Sequence, residues 1–205
     1  MGKKMIFVSV GFLSAALIAF QIALMQILSI VQWHHFAFMI ISVALLGFGA
    51  AGSVLSVWGN RLQKNAEWLL PVLMMVTAIA MALVTDISQQ SGVRFDSYLL
   101  FAEYSHIGKL LMTYLIFFIP FFSGALAIGL IFVKHAASIG KIYFANLLGS
   151  GLGGLLALAG IGLFFSRQLP ALISLLPLAA GLMIIPGKKK NFHRHIRFRP
   201  AVVKK

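Results

Sequence analysis

Residues 140–162, GKIYFANLLGSGLGGLLALAGIG, decide how the rest of this chain is interpreted. Within this apolar run, residues 149–154 (GSGLGG) satisfy the G-x-G-x-x-G pattern of dinucleotide-binding loops. Such a loop follows a β-strand and is followed about 20 residues later by an acidic residue. Here the next charged residue is Arg167, which has the wrong sign, and no β-branched strand precedes the glycines. The pattern is therefore not a nucleotide site.

The same glycines instead predict close packing between membrane helices. Small residues four positions apart, such as Gly149 and Gly153, let two helix backbones approach each other. An earlier apolar segment has the related run 47–52 (GFGAAG), and we expect these two helices to form the packing centre. The predicted packing residues are Gly47, Gly49, Gly52, Gly149, Gly151, Gly153 and Gly154.

The composition indicates an all-α, multi-pass membrane protein. Of the 205 residues, 60% are hydrophobic and 10% charged, whereas about 25% of residues are charged in soluble domains. Hydropathy predicts six spans, at residues 6–31, 35–58, 67–86, 107–133, 142–165 and 169–186. They form one transmembrane domain, 1–186, followed by a basic tail, 187–205. The chain has no cysteine, which excludes disulfides and thiolate metal sites.

The basic residues predict the orientation. With both termini in the cytoplasm, all of the 17 lysines and arginines except Arg94, Lys109 and Arg167 fall on the cytoplasmic side. Such a charge distribution predicts contact with anionic headgroups, and no nucleic-acid partner is expected. The residues predicted to contact headgroups or a protein partner are Lys188, Lys189, Lys190, Arg194, Arg197 and Arg199.

Two pairs of similar segments suggest an internal repeat. Residues 45–52 (LLGFGAAG) match 147–154 (LLGSGLGG), and residues 12–17 (FLSAAL) match 121–126 (FFSGAL). Three spans per copy is an odd number, so the second copy would cross the membrane in the opposite direction. Inverted repeats of three plus three helices occur within transporter halves.

The segments 140–149 (GKIYFANLLG), 33–38 (WHHFAF) and 46–49 (LGFG) resemble the membrane domain of bacterial spermidine synthase-like proteins. In that family a multi-span domain is fused to a soluble aminopropyltransferase-like domain. The resemblance covers about residues 10–185 and implies the bacterial plasma membrane. Gln21 and Gln26 stand where one branch of the family has Glu and Arg, and the tail leaves no room for a synthase domain. We therefore expect this chain to be non-catalytic.

Few side chains suggest chemistry. The amides of Gln21, Gln26 and Asn146 are expected either to join helices or to line a substrate path, and one glutamine is expected to pair with Asn146. His34, His35 and His106 are predicted at the outer surface. They are expected to be interfacial, with a zinc or haem site as the less favoured interpretation, and no cofactor is predicted.

Three functions remain open at this stage. The leading hypothesis is a membrane anchor or scaffold for a partner chain, such as a separate synthase-like enzyme or a larger complex. The first alternative is a half-transporter that dimerises around a polar site at the middle of the membrane. The second is a redox subunit with a histidine-ligated haem or metal. A protein partner or a homo-oligomer is expected in the first two cases.

Overall fold

The computed structural model describes residues 3–31, 34–88, 104–163 and 168–185, and most of their side chains. These residues are helical except for short turns, they include one 3-10 turn at Ala136–Ser138, and they contain no β-strand. The five long helices are α1 (Lys3–Val31), α2 (His34–Lys64), α3 (Ala66–Ser88), α4 (Tyr104–Lys134) and α5 (Ile139–Leu163). By length and composition, five helices of the described residues can cross a membrane. Long apolar helices satisfy their own backbone hydrogen bonds, which lipid cannot do, and they indicate a multi-pass membrane protein.

The sixth predicted span is not one continuous helix in the structure. Residues 169–184 form two short helices, α6 (Leu169–Ile173) and α7 (Leu175–Ile184), which together are shorter than the other spans. The break at Ser174 follows from Pro177, because proline has no N–H to donate to the carbonyl of Ile173. The Ser174 hydroxyl donates to the carbonyl of Ala171 at 2.6 Å. The segment is apolar throughout, but it is not one long helix.

The connection between α2 and α3 is also shorter than the gap between the second and third predicted spans. Hydropathy ends the second span at Trp58, but α2 continues through Arg61 to Lys64. Basic residues in the last turn stabilise a helix because they face its partially negative carboxyl end. Asn65 is then the only residue between α2 and α3, and its carbonyl accepts a hydrogen bond from the backbone N–H of Leu69 at 3.0 Å.

Helices α1 and α4 form the centre of the bundle and cross each other near their midpoints. The rings of Phe20 and Phe121 lie 5.7 Å apart, and Leu17 packs over Gly124. Because Leu17 precedes Phe20 whereas Gly124 follows Phe121, the two helices are antiparallel. Helix α5 packs along α1, α2 packs along α4, and α3 packs against α4 and α7. The two outer helices, α2 and α5, therefore lie at the periphery.

The prediction that the two glycine-rich helices form the packing centre was wrong, because α1 and α4 lie at the centre and each glycine-rich helix packs on one of them. The glycines of α2 face α4, and the glycines of α5 face α1. A small-residue pattern marks the face of a helix that packs closely, but it carries no information about which neighbour fills that face. The tail residues for which headgroup contacts were predicted lie outside the described residues, as does segment 89–103.

Candidate helix-packing and polar sites

The closest contact in the bundle joins the backbones of α1 and α5. A Cβ atom added to Gly149 would lie 2.7 Å from the Cα of Gly11, and one added to Gly153 would lie 2.6 Å from the Cα of Ala15. Nothing larger than hydrogen fits at either position. The contacts advance together along both helices, four residues at a time, so α1 and α5 are parallel.

A similar contact joins α2 and α4. A Cβ on Gly47 would lie 2.8 Å from the Cβ of Phe121 and 3.0 Å from the backbone nitrogen of Phe122. Further along the same pair, Leu55 packs on Gly129. The contact again moves forward along both helices, so α2 and α4 are also parallel.

The other predicted packing glycines behave differently. Gly49, Gly52 and Gly151 have no atom within 4 Å of an added Cβ, and all three are exposed. Gly154 makes ordinary contacts with Ile18 and Ile22 at 4.0 Å. Four of the seven glycines therefore face a neighbouring helix, and three face the surroundings of the bundle.

Asn146 joins α5 to α1 through a partner that the sequence prediction did not name. Its side-chain oxygen accepts a hydrogen bond of 2.7 Å from the hydroxyl of Ser14. Gln21 lies seven residues beyond Ser14 on α1, which is a rise of about 10 Å, and Gln26 lies a further 7 Å or so along the helix. Both glutamines are half-buried. The three amides are therefore at three different levels and do not form one polar site.

Two further hydrogen bonds between helices involve hydroxyls. Thr77 of α3 and Ser123 of α4 lie 2.8 Å apart, and both are buried. The Ser9 hydroxyl of α1 donates to the carbonyl of Ala180 in α7 at 3.2 Å. Sequence analysis missed Ser9 and Ser14. A signal for Ser14 exists, because Ser14 and Ser123 occupy the same position in the matching segments FLSAAL and FFSGAL.

The three histidines predicted at the outer surface cannot be assigned a site from the described side chains. His34, His35 and His106 lie in the first turns of α2 and α4, but their side chains are outside the described set. Among the described residues, no group of three His, Cys, Asp or Glu could hold a metal ion. The predictions on interfacial, zinc or haem roles therefore remain predictions.

Charged residues lie mostly at one end of the bundle. Lys4 lies in the first turn of α1 and Lys141 in the first turn of α5. Helices α2 and α4 both end in basic residues at this same end. The opposite end carries Asp86 and Lys109. This asymmetry gives the bundle one basic end face.

Comparisons with protein-family models, with curated proteins and with solved structures find no match to this chain.

Proposed function

We propose that this protein is a non-catalytic membrane subunit, an anchor or scaffold for a partner chain. The observation that carries this proposal is the pairing of Asn146 with Ser14, since this amide joins two helices of the bundle. Thr77 and Ser123 likewise join α3 to α4. Polar side chains that are hydrogen-bonded between helices favour a fixed assembly, because they are not free to line a path for a solute.

The close packing of α1 and α5 supports the same proposal. Backbone atoms of Gly11 and Ala15 lie directly against Gly149 and Gly153, so these helices cannot rotate past each other without separating. A rigid bundle of this kind presents constant outer faces to a partner. The partner class implied by the family resemblance is a soluble synthase-like enzyme, and this also remains a proposal.

The outer faces of the two peripheral helices differ, and α2 is the better candidate for contact with a partner. The exposed face of α2 carries Gly49, Gly52, Ser53 and Ser56 among larger apolar residues, whereas leucine is the commonest residue on the exposed face of α5. Lipid solvates leucine well, while small residues permit the close approach of another helix.

The orientation belongs to the same proposal. We place the basic end face in the cytoplasm, because lysine and arginine are retained on that side of the membrane. A cysteine at Lys64 would then be labelled by a membrane-permeant maleimide and protected from an impermeant one in intact cells. Labelling by both reagents would show that the basic end face lies outside the cytoplasm.

The test of the function is extraction of the tagged protein from native membranes in mild detergent, followed by size measurement and mass spectrometry. We expect a stoichiometric partner that is retained in Gly151→Ile and lost in Gly49→Ile. Both glycines are exposed with open space around them, so each variant should fold. A monomer or a homodimer without a second chain would contradict the scaffold function.

One observation favours a second candidate, the half-transporter. Under the proposed repeat, α1, α2 and α3 correspond to α4, α5 and α6–α7. The pair α1–α5 then corresponds to α4–α2, and these are the two parallel, glycine-mediated pairs. A third matching segment also exists, since residues 69–71 and 175–177 both read LLP. These correspondences support an inverted repeat, the arrangement of many transporters.

The two candidates differ in what Asn146 does. A transporter requires that Asn146→Ala abolish uptake of a solute by reconstituted vesicles while the thermal stability of the protein changes little. A scaffold requires the opposite result, a measurable loss of stability or assembly without any uptake activity in the parent protein. Gln21→Ala and Gln26→Ala extend the comparison to the other two amides.

A further inference from the structure

The parallel packing of α2 and α4 brings two basic helix ends together. Leu55 contacts Gly129, and the chain continues for six residues to Arg61 on α2 and for five residues to Lys134 on α4. At about 1.5 Å per residue, both charged residues lie roughly 8–9 Å beyond the contact. Arg61 and Lys134 are therefore at the same level at neighbouring helix ends.

One acidic side chain of the described residues, Glu67 in the first turn of α3, lies at this end of the bundle. Glu67 is the nearest acid in the sequence, but it is exposed on α3 and lies three residues from Lys64, which is the closer basic residue along the chain. The other acids, Asp86, Asp96 and Glu103, occur at the far end of α3 or in the connection after it. Each helix carboxyl end contributes about half of a negative charge. The two full positive charges of Arg61 and Lys134 therefore exceed the partial negative charge of the two helix ends. His135 follows Lys134 directly.

The level of the pair in the membrane is indicated by tryptophan. Trp58 lies one turn before Arg61 and is 50% exposed, and Trp68 at the start of α3 is 69% exposed. Tryptophan is enriched at the depth of lipid headgroups. The charged groups that follow Trp58 on α2 therefore reach the phosphate layer.

We propose that Arg61 and Lys134 form a binding site for the phosphate of an anionic phospholipid. The guanidinium of Arg61 can donate two parallel hydrogen bonds to phosphate oxygens, and the Lys134 ammonium supplies a second charge from the adjacent helix. Such a lipid would cover the seam between α2 and α4 at the basic end face. The inference depends on the membrane location of the bundle and is independent of the scaffold function.

The structure supplies the reporter for a test. In the full-length protein with Trp33→Phe and Trp68→Phe, the remaining Trp58 lies one turn from Arg61. The protein is reconstituted in phosphatidylcholine vesicles that contain brominated phosphatidylglycerol or, at the same fraction, brominated phosphatidylcholine. We expect the anionic lipid to quench Trp58 more strongly, which yields a relative association constant for the two lipids.

Substitution then separates a local site from general attraction to a charged surface. Arg61→Gln and Lys134→Gln should each lower the preference for the anionic lipid about five-fold, the factor that corresponds to one basic residue at a membrane surface. Lys109→Gln, the same change at the opposite end of α4, should leave the preference unchanged. Neutralising the tail lysines Lys188, Lys189 and Lys190 together should lower it by less than Arg61→Gln alone.

Three results would overturn the proposal. The first is equal quenching by the two brominated lipids in the parent protein. The second is a preference that survives Arg61→Gln and Lys134→Gln in protein whose circular dichroism and elution volume are unchanged. The third is a larger loss from the tail substitutions than from Arg61→Gln, which would assign the preference to the diffuse charge of the whole surface.

Discussion

The two glycine-rich segments, residues 45–52 on α2 and 147–154 on α5, are identical at five of eight positions but have different contacts. In both, the first glycine lies against a neighbouring backbone, Gly47 on α4 and Gly149 on α1, and the glycine two residues later is exposed. One turn further on, α5 has Gly153 where α2 has the buried Ala51. A methyl group is thus accommodated between α2 and α4, whereas none fits between α5 and α1.

This difference shows that the same pattern allows two degrees of approach. The α1–α5 pair is held at backbone contact, and the α2–α4 pair is separated by the width of a side-chain carbon. Substitutions along the two segments should reproduce that order in stability. The following predictions run from the largest expected effect to the smallest.

The largest effect is expected for Gly149→Ala and Gly153→Ala. The added methyl would overlap backbone atoms of α1, which cannot rotate away as a side chain can. Overpacking costs about 1–3 kcal/mol, and we expect the upper end of that range for each variant. Thermal unfolding in detergent, followed by circular dichroism, measures the loss. Gly151→Ala, in open space on the same helix, is the control, and an equal loss there would contradict the packing described above.

A smaller effect is expected for Gly47→Ala. The nearest atoms are the Cβ of Phe121 and the backbone nitrogen of Phe122, at 2.8 and 3.0 Å, so a modest shift of α4 relieves the overlap. We expect a loss of about 1–2 kcal/mol in the same assay. Gly49→Ala, two residues away and exposed, should be neutral. If Gly47→Ala destabilised the protein more than Gly149→Ala, the order of the two helix pairs would be reversed.

The hydrogen bond between Ser14 and Asn146 should contribute less than either glycine contact. Bonds of this kind between membrane helices contribute about 0.6 kcal/mol on average and up to about 1.7. A double-mutant cycle with Ser14→Ala and Asn146→Ala measures the coupling, which we expect to be near the lower value. Purely additive effects would mean that the two side chains do not stabilise the protein through each other.

The smallest effect is expected at Thr77 and Ser123. Each hydroxyl has one proton, yet four contacts compete for the two protons. Besides the contact between the two hydroxyls, Thr77 lies near the carbonyl of Leu73, and Ser123 lies near the carbonyls of Ile119 and Pro120. Loss of one hydroxyl leaves the other with that local bond. Ser123→Ala should therefore cost about 0.5 kcal/mol or less. The exposed Ser53, which donates to Gly49, offers the matched control Ser53→Ala, and a loss above 1.5 kcal/mol at Ser123 would contradict this expectation.

Much of the fold was accessible from sequence because lipid imposes simple rules. A run of apolar residues long enough to cross the membrane must be helical, since unpaired backbone groups are too costly there. Five of the predicted spans accordingly correspond to long helices. The prediction was less accurate for residues 169–186, where Pro177 interrupts the helix, and after Trp58, where charged residues extend α2 beyond the apolar run.

The polar contacts between helices were harder to predict from the sequence. Asn146 was singled out as an unusual group in an apolar helix, and a glutamine was expected as its partner, whereas the structure shows Ser14. Which hydroxyl faces an amide depends on the register of two helices that are more than 100 residues apart in the chain. No local pattern contains that register.

The sequence alone determined the apolar helices, their approximate ends and the small-residue positions, because these depend on hydrophobicity and residue size within one segment. Only the tertiary structure decided which helix fills each small-residue face, that Ser14 meets Asn146, and that Arg61 and Lys134 lie at one level. The physical reason is that glycine removes a steric barrier without selecting a partner. The partner is selected by the shape of all the helices packed together.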